Sequence, residues 1–264
     1  MMIIGTIKLY KLINSEFIKY GVVTLEDIAV IHLKGDFDSV LSLLQGQVTS
    51  DCKLVTEHRG QPSSLCNEKG FILCNFDIII DQKKWLIVIN NASKDIFLDE
   101  IKKFLPFYKV ICELLDVRVI GFSRESDQPM LQHEHLILSS EKVNLSLMID
   151  ADNEFQSELH GLSQNNWAIN HKIINDHQIQ AEETGKYRPH EVGQNVNRVS
   201  FDKGCFRGQE IIARMEYLGK LKKETRLIIH SNLEEVSNFT IIGKSYRDNE
   251  NIFSSCLGKI ENFS

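Results

Sequence analysis

One ten-residue stretch, residues 201–210, constrains the fold more than any other part of the chain. It reads Phe-Asp-Lys-Gly-Cys-Phe-Arg-Gly-Gln-Glu, so that Gly204 and Gly208 bracket Cys205. Two glycines at this spacing predict a tight turn in which the backbone approaches another segment closely. Apolar residues follow at helical spacing, namely Ile211, Ile212, Met215 and Leu218. The sequence therefore places Cys205 in a turn directly before the N-terminus of a helix.

The predicted position of Cys205 favours a thiolate. Unpaired backbone N–H groups and the helix dipole attract negative charge at a helix N-terminus, and Lys203 and Arg207 add positive charge nearby. Both effects are expected to lower the pKa of the thiol, which makes Cys205 the candidate for a reactive or ligating thiolate. Spacing alone leaves an alternative open, a small buried residue that caps the helix, which is the commoner fate of free cysteines.

The same stretch also resembles the signature of a known family. The run Lys-Gly-Cys-Phe-x-Gly-Gln-Glu at residues 203–210 is similar to that of the YgfZ family, folate-binding proteins related to the T-protein (aminomethyltransferase) of the glycine cleavage system. Two further segments resemble the family, residues 44–51 (Leu-Gln-Gly-Gln-Val-Thr-Ser-Asp) and a predicted hairpin at residues 65–77. The likeness covers about two thirds of the chain in outline.

The resemblance implies an α+β fold with the three-part, ring-like T-protein/YgfZ architecture and a folate-sized channel at its centre. Residues 1–50 plus 110–215 would form the first α+β part, residues 51–109 the second, and residues 216–264 a C-terminal β module. After Gly219, short strand candidates alternate with polar turns. This pattern predicts that the C-terminal module is small and barrel-like.

The resemblance also implies a function, that of a folate-dependent accessory protein for iron-sulfur cluster assembly or repair, which would indirectly support tRNA modification. Tetrahydrofolate or a derivative would be the cofactor, and iron-sulfur proteins would be the clients. Cys205 would be the reactive thiol, and Lys203 would hold it as thiolate or contact the glutamate tail of the folate. Gln209 and Glu210 would fix the loop by hydrogen bonds to exposed N–H groups or to the ligand.

Candidate cofactor contacts also lie in the two other matching segments, at Gln47 and Asn75. The hairpin of T-proteins carries an acidic pair used in one-carbon chemistry, and the matching positions here are Cys74 and Asn75. Where T-proteins have Glu-Ala-Gly, with the Glu on the folate pterin, residues 172–174 read Lys-Ile-Ile. The missing acid or base disfavours a turnover enzyme.

Two alternatives to the accessory protein stay open. Asp77 lies two positions beyond Asn75 on the same predicted strand face, which leaves room for a folate-dependent, aminomethyltransferase-like one-carbon transfer enzyme. The other alternative is a pure protein-interaction module without a small ligand. No metal site is predicted, because Cys66 and Cys74 have no His or further Cys nearby.

The net charge and the cysteine content limit which binding partners and which cellular compartment are expected. A formal net charge of -6 argues against bulk attraction to nucleic acid or an anionic membrane, so that any RNA contact would have to be local. Residues 202–226, however, hold seven basic and four acidic residues, a net +3 that is either a solvated face or an attractor for an anionic ligand. Six cysteines without a C-x-x-C pair, no signal peptide and no apolar run near 18 residues predict a soluble, cytoplasmic protein with reduced thiols.

Hydrophobic periodicity predicts the main elements. Strands are expected at residues 1–10, 28–33, 71–80, 85–89 and 110–122, and helices after the N-cap Asp36 and at residues 93–105. Pro106 should stop the second helix. A helix C-cap at Gly46, followed by an exposed turn, is an alternative to the family resemblance of residues 44–51 that spacing leaves open. His133 and His135 are expected to be solvated on a polar connection.

Overall fold

The computed structural model describes residues 15–157 and 160–263. The strand predicted at residues 1–10 lies outside them. The strands are β1 (Gly21–Leu25), β2 (Ile28–Lys34), β3 (Gln61–Cys66), β4 (Ile72–Asp81), β5 (Lys84–Asn90), β6 (Ile111–Leu115), β7 (Arg118–Glu125), β8 (His135–Ser139), β9 (Val143–Asp150), β10 (Lys223–His230), β11 (Thr240–Asp248) and β12 (Asn251–Lys259). The α-helices are α1 (Phe37–Gln47), α2 (Lys94–Lys102), α3 (Leu105–Tyr108), α4 (Gln164–Ile173) and α5 (Gln209–Leu218).

The described strands form three sheets. The first has the order β1-β7-β9-β8, the second β3-β4-β5-β2-β6 and the third β10-β12-β11. Every neighbouring pair is antiparallel. This arrangement confirms the α+β class. The C-terminal strands form a three-stranded sheet, and closure into a barrel is not confirmed; the three-part division of the chain stays a prediction.

The second sheet is buried on both faces, which explains the long apolar runs of β4 and β5. On β4, Ile78 packs into the cluster that holds Val40 of α1 and Phe97 of α2. Its neighbour Ile79 points to the opposite face, as strand geometry requires, and joins a cluster with Leu145 of the first sheet and with residues of the third. The second sheet therefore lies between two helices on one side and the two other sheets on the other.

Local signals predicted several boundaries correctly and others wrongly. Asp36 caps α1 as predicted, with its Oδ2 accepting from the Ser39 N–H at 3.1 Å. The structure excludes the alternative of a helix C-cap at Gly46, because α1 continues to Gln47 and its cap is Val48, whose N–H donates to Leu44 O at 3.0 Å. A Cβ at position 46 would meet no atom within 4 Å, so this glycine serves no steric need there.

Three further expectations are corrected by the structure. The strand predicted at residues 110–122 is two strands, β6 and β7, which belong to different sheets. Pro106 lies in the first turn of α3, where its missing N–H costs nothing, instead of ending a helix. His135 is buried on β8, with its Nε2 3.6 Å from Asp81 Oδ1, because the strand turns it inward.

One buried ion pair ties distant parts of the chain together. The Arg198 side chain is fully buried; its Nε and Nη2 donate to the two carboxylate oxygens of Asp176, at 2.6 and 2.8 Å. Its Nη1 donates to Ser63 O of β3 and to Phe76 O of β4, both at 3.0 Å. Although burial alone would raise the pKa of Asp176, the Arg198 charge holds it well below its usual value. The pair thus connects the loop after α4 to two strands of the second sheet.

Replacing Arg198 by methionine is expected to lower the free energy of unfolding by about 3–5 kcal/mol, because Asp176 would remain as a buried, uncompensated charge. Urea denaturation followed by circular dichroism measures the change. Arg214→Met is the matched control, since this arginine is 66% exposed and its Nη2 lies 3.7 Å from Glu210 on the helix surface. The control should lose less than about 0.5 kcal/mol, and equal losses for the two variants would contradict the assignment.

Candidate functional site

A cavity of about 500 Å³ opens between the three sheets. Its walls come from the β1–β2 turn, β4, α4, the segment 176–180 and β11. The lining includes Asn75, Asp77, Trp167, His171, Lys172, Asp176, Gln178 and Tyr246. Each sheet contributes to its wall, so the cavity forms only when the long-range packing is complete.

Asn75 and Asp77 both line the cavity from β4, as strand periodicity predicts. The Asn75 amide is engaged within the protein: its Nδ2 donates to Ser64 Oγ at 2.8 Å and to Gln194 Oε1 at 2.9 Å. Its Oδ1 accepts from Ile179 N at 2.9 Å. Asn75 therefore builds the wall of the cavity, and its role as a cofactor contact stays a prediction.

Asp77 presents an oxygen that makes no hydrogen bond. Its Oδ1 is buried, and the nearest cation is Arg198, whose Nη2 is 3.6 Å away. Burial raises the pKa of Asp77 to about 6, against the opposing effect of the Arg198 charge. A carboxyl group in this state can accept a hydrogen bond or exchange a proton near neutral pH.

Lys172 projects into the cavity from α4. Its Nζ donates to Ser255 Oγ at 2.7 Å and lies 5.6 Å from the centre of the Tyr246 ring. Burial lowers the pKa of Lys172 to about 8. Ser255 Oγ also lies 2.8 Å from Nδ1 of His177, whose pKa burial lowers to about 3. Because this imidazole is neutral, Ser255 can donate its proton to Nδ1 while it accepts from the lysine.

The turn at residues 203–208, here called the signature turn, lies where the sequence predicts it, directly before α5. Cys205 is exposed, which excludes the alternative of a buried helix cap. Lys203 is buried, and its Nζ donates to Val48 O at 2.8 Å and to Ser50 O at 2.7 Å, just beyond the end of α1. Burial lowers the pKa of Lys203 to about 8. Its role in holding Cys205 as thiolate stays a prediction.

The signature turn packs against the β3–β4 hairpin turn. Gly208 has φ 82°, and a Cβ there would lie 2.4 Å from Asn67 O and 3.2 Å from Gly70 Cα. Only glycine fits this backbone and this approach. In the first turn of α5, Gln209 Oε1 accepts from Phe206 N at 3.3 Å, whereas the Glu210 side chain is 83% exposed.

The predicted site residues therefore divide between two places. Asn75 lines the cavity, whereas Lys203, Cys205, Gln209 and Glu210 belong to the signature turn and the start of α5, and none of these four is among the cavity-lining residues. Gln47 is buried at the end of α1, and its Oε1 makes no hydrogen bond.

Hydrogen bonds connect Asn75 to Thr49, which lies between Val48 and Ser50, the two residues whose carbonyl oxygens accept from Lys203. The Thr49 hydroxyl oxygen accepts from Ser64 N at 3.0 Å, and Ser64 Oγ accepts from Asn75 at 2.8 Å. Sequence reasoning missed Tyr246 and the pair of Asp176 and Arg198, which carry no local signal.

The described residues contain neither a metal-binding cluster nor a membrane-spanning helix. Across residues 15–157 and 160–263, no group of three or more His, Cys, Asp or Glu side chains is arranged to hold a metal ion. Within the same ranges, no helix has the length and apolar character needed to cross a membrane.

The chain is similar to solved and characterised proteins. A crystal structure of the glycine cleavage system aminomethyltransferase T from Bartonella henselae aligns with a TM-score of 0.60, at 9% identity, over 95% of this chain and 82% of that one. That likeness shows the T-protein fold. No protein-family model matches the chain.

Three sequence relatives carry the name tRNA-modifying protein YgfZ. The protein of Colwellia psychrerythraea is 30% identical over 81% of this chain and 72% of its own length. Those of Aliivibrio fischeri and Shigella dysenteriae are 26% and 25% identical, over 71% and 79% of this chain and over 64% and 71% of their own lengths. With this identity and coverage, and with the T-protein fold, the chain belongs to the YgfZ family.

Proposed function

We propose that this protein acts in tRNA modification as a folate-binding accessory factor for the assembly or repair of iron-sulfur clusters. Relatives named tRNA-modifying protein YgfZ support the first part. The fold shared with an aminomethyltransferase supports the folate. The observation that carries the proposal is the cavity of about 500 Å³ between the three sheets.

The residues of the cavity fit a folate. Its volume lies within the range of about 300–1,000 Å³ that is typical of small-ligand sites. Trp167 and Tyr246 offer aromatic surface to a flat ring. The Asp77 side chain, which is 15% exposed, can accept from a ring N–H through its carboxylate, and Lys172 can donate to a carbonyl or carboxylate. A bound tetrahydrofolate would supply a carrier for one-carbon units.

We assign the thiol chemistry to the signature turn. Cys205 is exposed, whereas burial raises the thiol pKa of the other five cysteines. A reactive group must be reachable by its partner. In this proposal the cavity binds the folate and Cys205 reacts with the iron-sulfur client, so the ligand and the client occupy two separate sites.

The folate part is tested by calorimetric titration with tetrahydrofolate. Trp167→Ala and Lys172→Met should each weaken binding at least about tenfold, which corresponds to about 1.4 kcal/mol, because the ring loses its aromatic wall or its cationic donor. Phe107→Ala, at an 82% exposed position outside the cavity, is the control and should bind as wild type does.

Two further variants separate a ligand-binding role of Lys203 from the thiol role of Cys205. Cys205→Ser should bind tetrahydrofolate normally, and a loss confined to Lys203→Ala would assign Lys203 to the glutamate tail. Absence of binding by the wild type would refute the folate proposal and favour a pure interaction module.

The tRNA part is tested in bacterial cells that lack their own YgfZ protein. Expression of the wild-type chain should restore the tRNA nucleosides that iron-sulfur enzymes modify, quantified by mass spectrometry. Cys205→Ser should lower their level at least about tenfold, because the exposed thiol is lost. Cys112→Ser, which removes a half-buried thiol elsewhere, is the control and should restore them. Equal restoration by the two variants would remove the thiol from the mechanism.

A second candidate function is one-carbon transfer to or from a folate. It is favoured by Asp77, which lines the cavity and whose pKa burial raises to about 6. As a general base, Asp77 should make the transfer rate rise with pH through about 6. Asp77→Asn should then lower the rate at least about 100-fold while tetrahydrofolate still binds. An unchanged rate, or no transfer by the wild type, would exclude this function.

The same ionisation should also be visible in stability. Because the folded pKa of about 6 lies above the ordinary 3.8, the folded state loses stability as pH rises between these values. The loss is up to about 3 kcal/mol, and Asp77→Asn, which cannot ionise, should not show it in urea denaturation at pH 4 and pH 7.

A further inference from the structure

A second groove, of about 350 Å³, lies at the C-terminal end of α5. It is lined by Glu191, Met215, Gly219, Lys220, Leu221, Lys222 and Lys223. None of these residues lines the cavity between the sheets. The groove is therefore a separate feature, and neither the folate nor the thiol proposal uses it.

The groove concentrates uncompensated positive charge. Lys220, Lys222 and Lys223 are exposed, and within the described ranges none of the three has an acidic side chain within 4.0 Å. Across the sheet, Lys223 stands directly opposite Lys259. Like charges in this register destabilise a strand pair. Lys259 Nζ lies 3.2 Å from Glu261 Oε1, whereas Lys223 has no such acidic partner among the described residues.

The acidic residues around the groove are already engaged. Glu216 Oε2 lies 2.8 Å from His190 Nε2, and Glu224 pairs with Arg226. Glu191, which lines the groove, accepts from Arg188 N at 2.8 Å. These contacts leave the lysines as the dominant charge of the surface, although the chain as a whole carries a net charge of -6.

Two exposed apolar side chains closely precede the lysines in the chain. Tyr217 is 68% exposed and Leu218 is 82% exposed at the end of α5. The Tyr217 ring makes an edge-to-face contact with Phe201, at 6.1 Å between centroids, which positions it while most of its surface stays open. Open aromatic rings beside lysines are the combination with which proteins hold single-stranded nucleic acid.

We propose that this groove binds single-stranded RNA, with the three lysines on phosphates and the Tyr217 ring stacked on a base. The inference rests on the proposed role in tRNA modification and makes RNA a direct partner of the chain. An acidic protein segment would satisfy the lysines but would leave the Tyr217 ring without a function. A local contact accords with the net negative chain, because residues 202–226 carry seven basic and four acidic side chains.

The probe is a fluorescein-labelled 12-nucleotide oligouridylate, followed by fluorescence anisotropy at 50 and 200 mM KCl. Each phosphate contact to a single strand contributes about -0.7 to the slope of log affinity against log salt. Three contacts should weaken wild-type binding roughly 20-fold between the two salt concentrations. Lys220→Gln/Lys222→Gln/Lys223→Gln should lose at least about tenfold in affinity and most of the slope. Tyr217→Ala should lose about tenfold and keep the slope.

The control is Lys34→Gln/Lys84→Gln/Lys102→Gln, which removes the same charge from exposed positions elsewhere and should bind as wild type does. Equal weakening in both triple variants, or no binding by the wild type, overturns the proposal. Competition by a hexaglutamate peptide, together with no effect of Tyr217→Ala, overturns it in favour of an acidic protein partner. The triple variant of Lys220, Lys222 and Lys223 should bind tetrahydrofolate as the wild type does. If the wild type binds RNA but neither binds tetrahydrofolate nor restores tRNA modification, the proposed function is refuted and the RNA proposal is not.

Discussion

The guanidinium of Arg198 holds together the parts of the chain that build the site. It is fully buried, and its N–H groups donate to the Asp176 carboxylate and to the backbone carbonyls of Ser63 on β3 and Phe76 on β4. A planar fork can satisfy these directions at once, whereas a lysine ammonium cannot. Together with the hydrogen bond from Ile179 N to Asn75, this contact fixes the loop after α4 against the second sheet. The position of this wall of the cavity therefore depends on it.

Burial accounts for the unusual charge states around the cavity. It raises the pKa of Asp77 to about 6 and lowers that of Lys172 to about 8, so both groups approach their titration midpoints near neutral pH. His177, behind Lys172, is held neutral, with a pKa of about 3. Desolvation is the largest cause at each of the three. A ligand that enters can pair with either form of these side chains, which suits a site that must bind and release.

Features that depend on a few adjacent residues could be predicted from the sequence. Features that depend on contacts between residues far apart in the chain could not. The Asp36 cap, the hairpin turn before β4 and the signature turn each depend on a few adjacent residues. The division of residues 110–122 between two sheets had no local signal, because the apolar pattern continues across it. Lys172 and Tyr246 are joined only by tertiary packing, so sequence reasoning concentrated the site on Lys203 and Cys205 and left most of the cavity unassigned. His135 looked solvated because its partner surface lies on another sheet.

Gly208 leaves almost no clearance between the signature turn and the hairpin turn at Asn67 and Gly70. The turn cannot retreat toward the hairpin without collision. Cys205 is exposed in the same turn, so a side chain added at position 208 would displace the turn from the hairpin and change the position of the thiol with it.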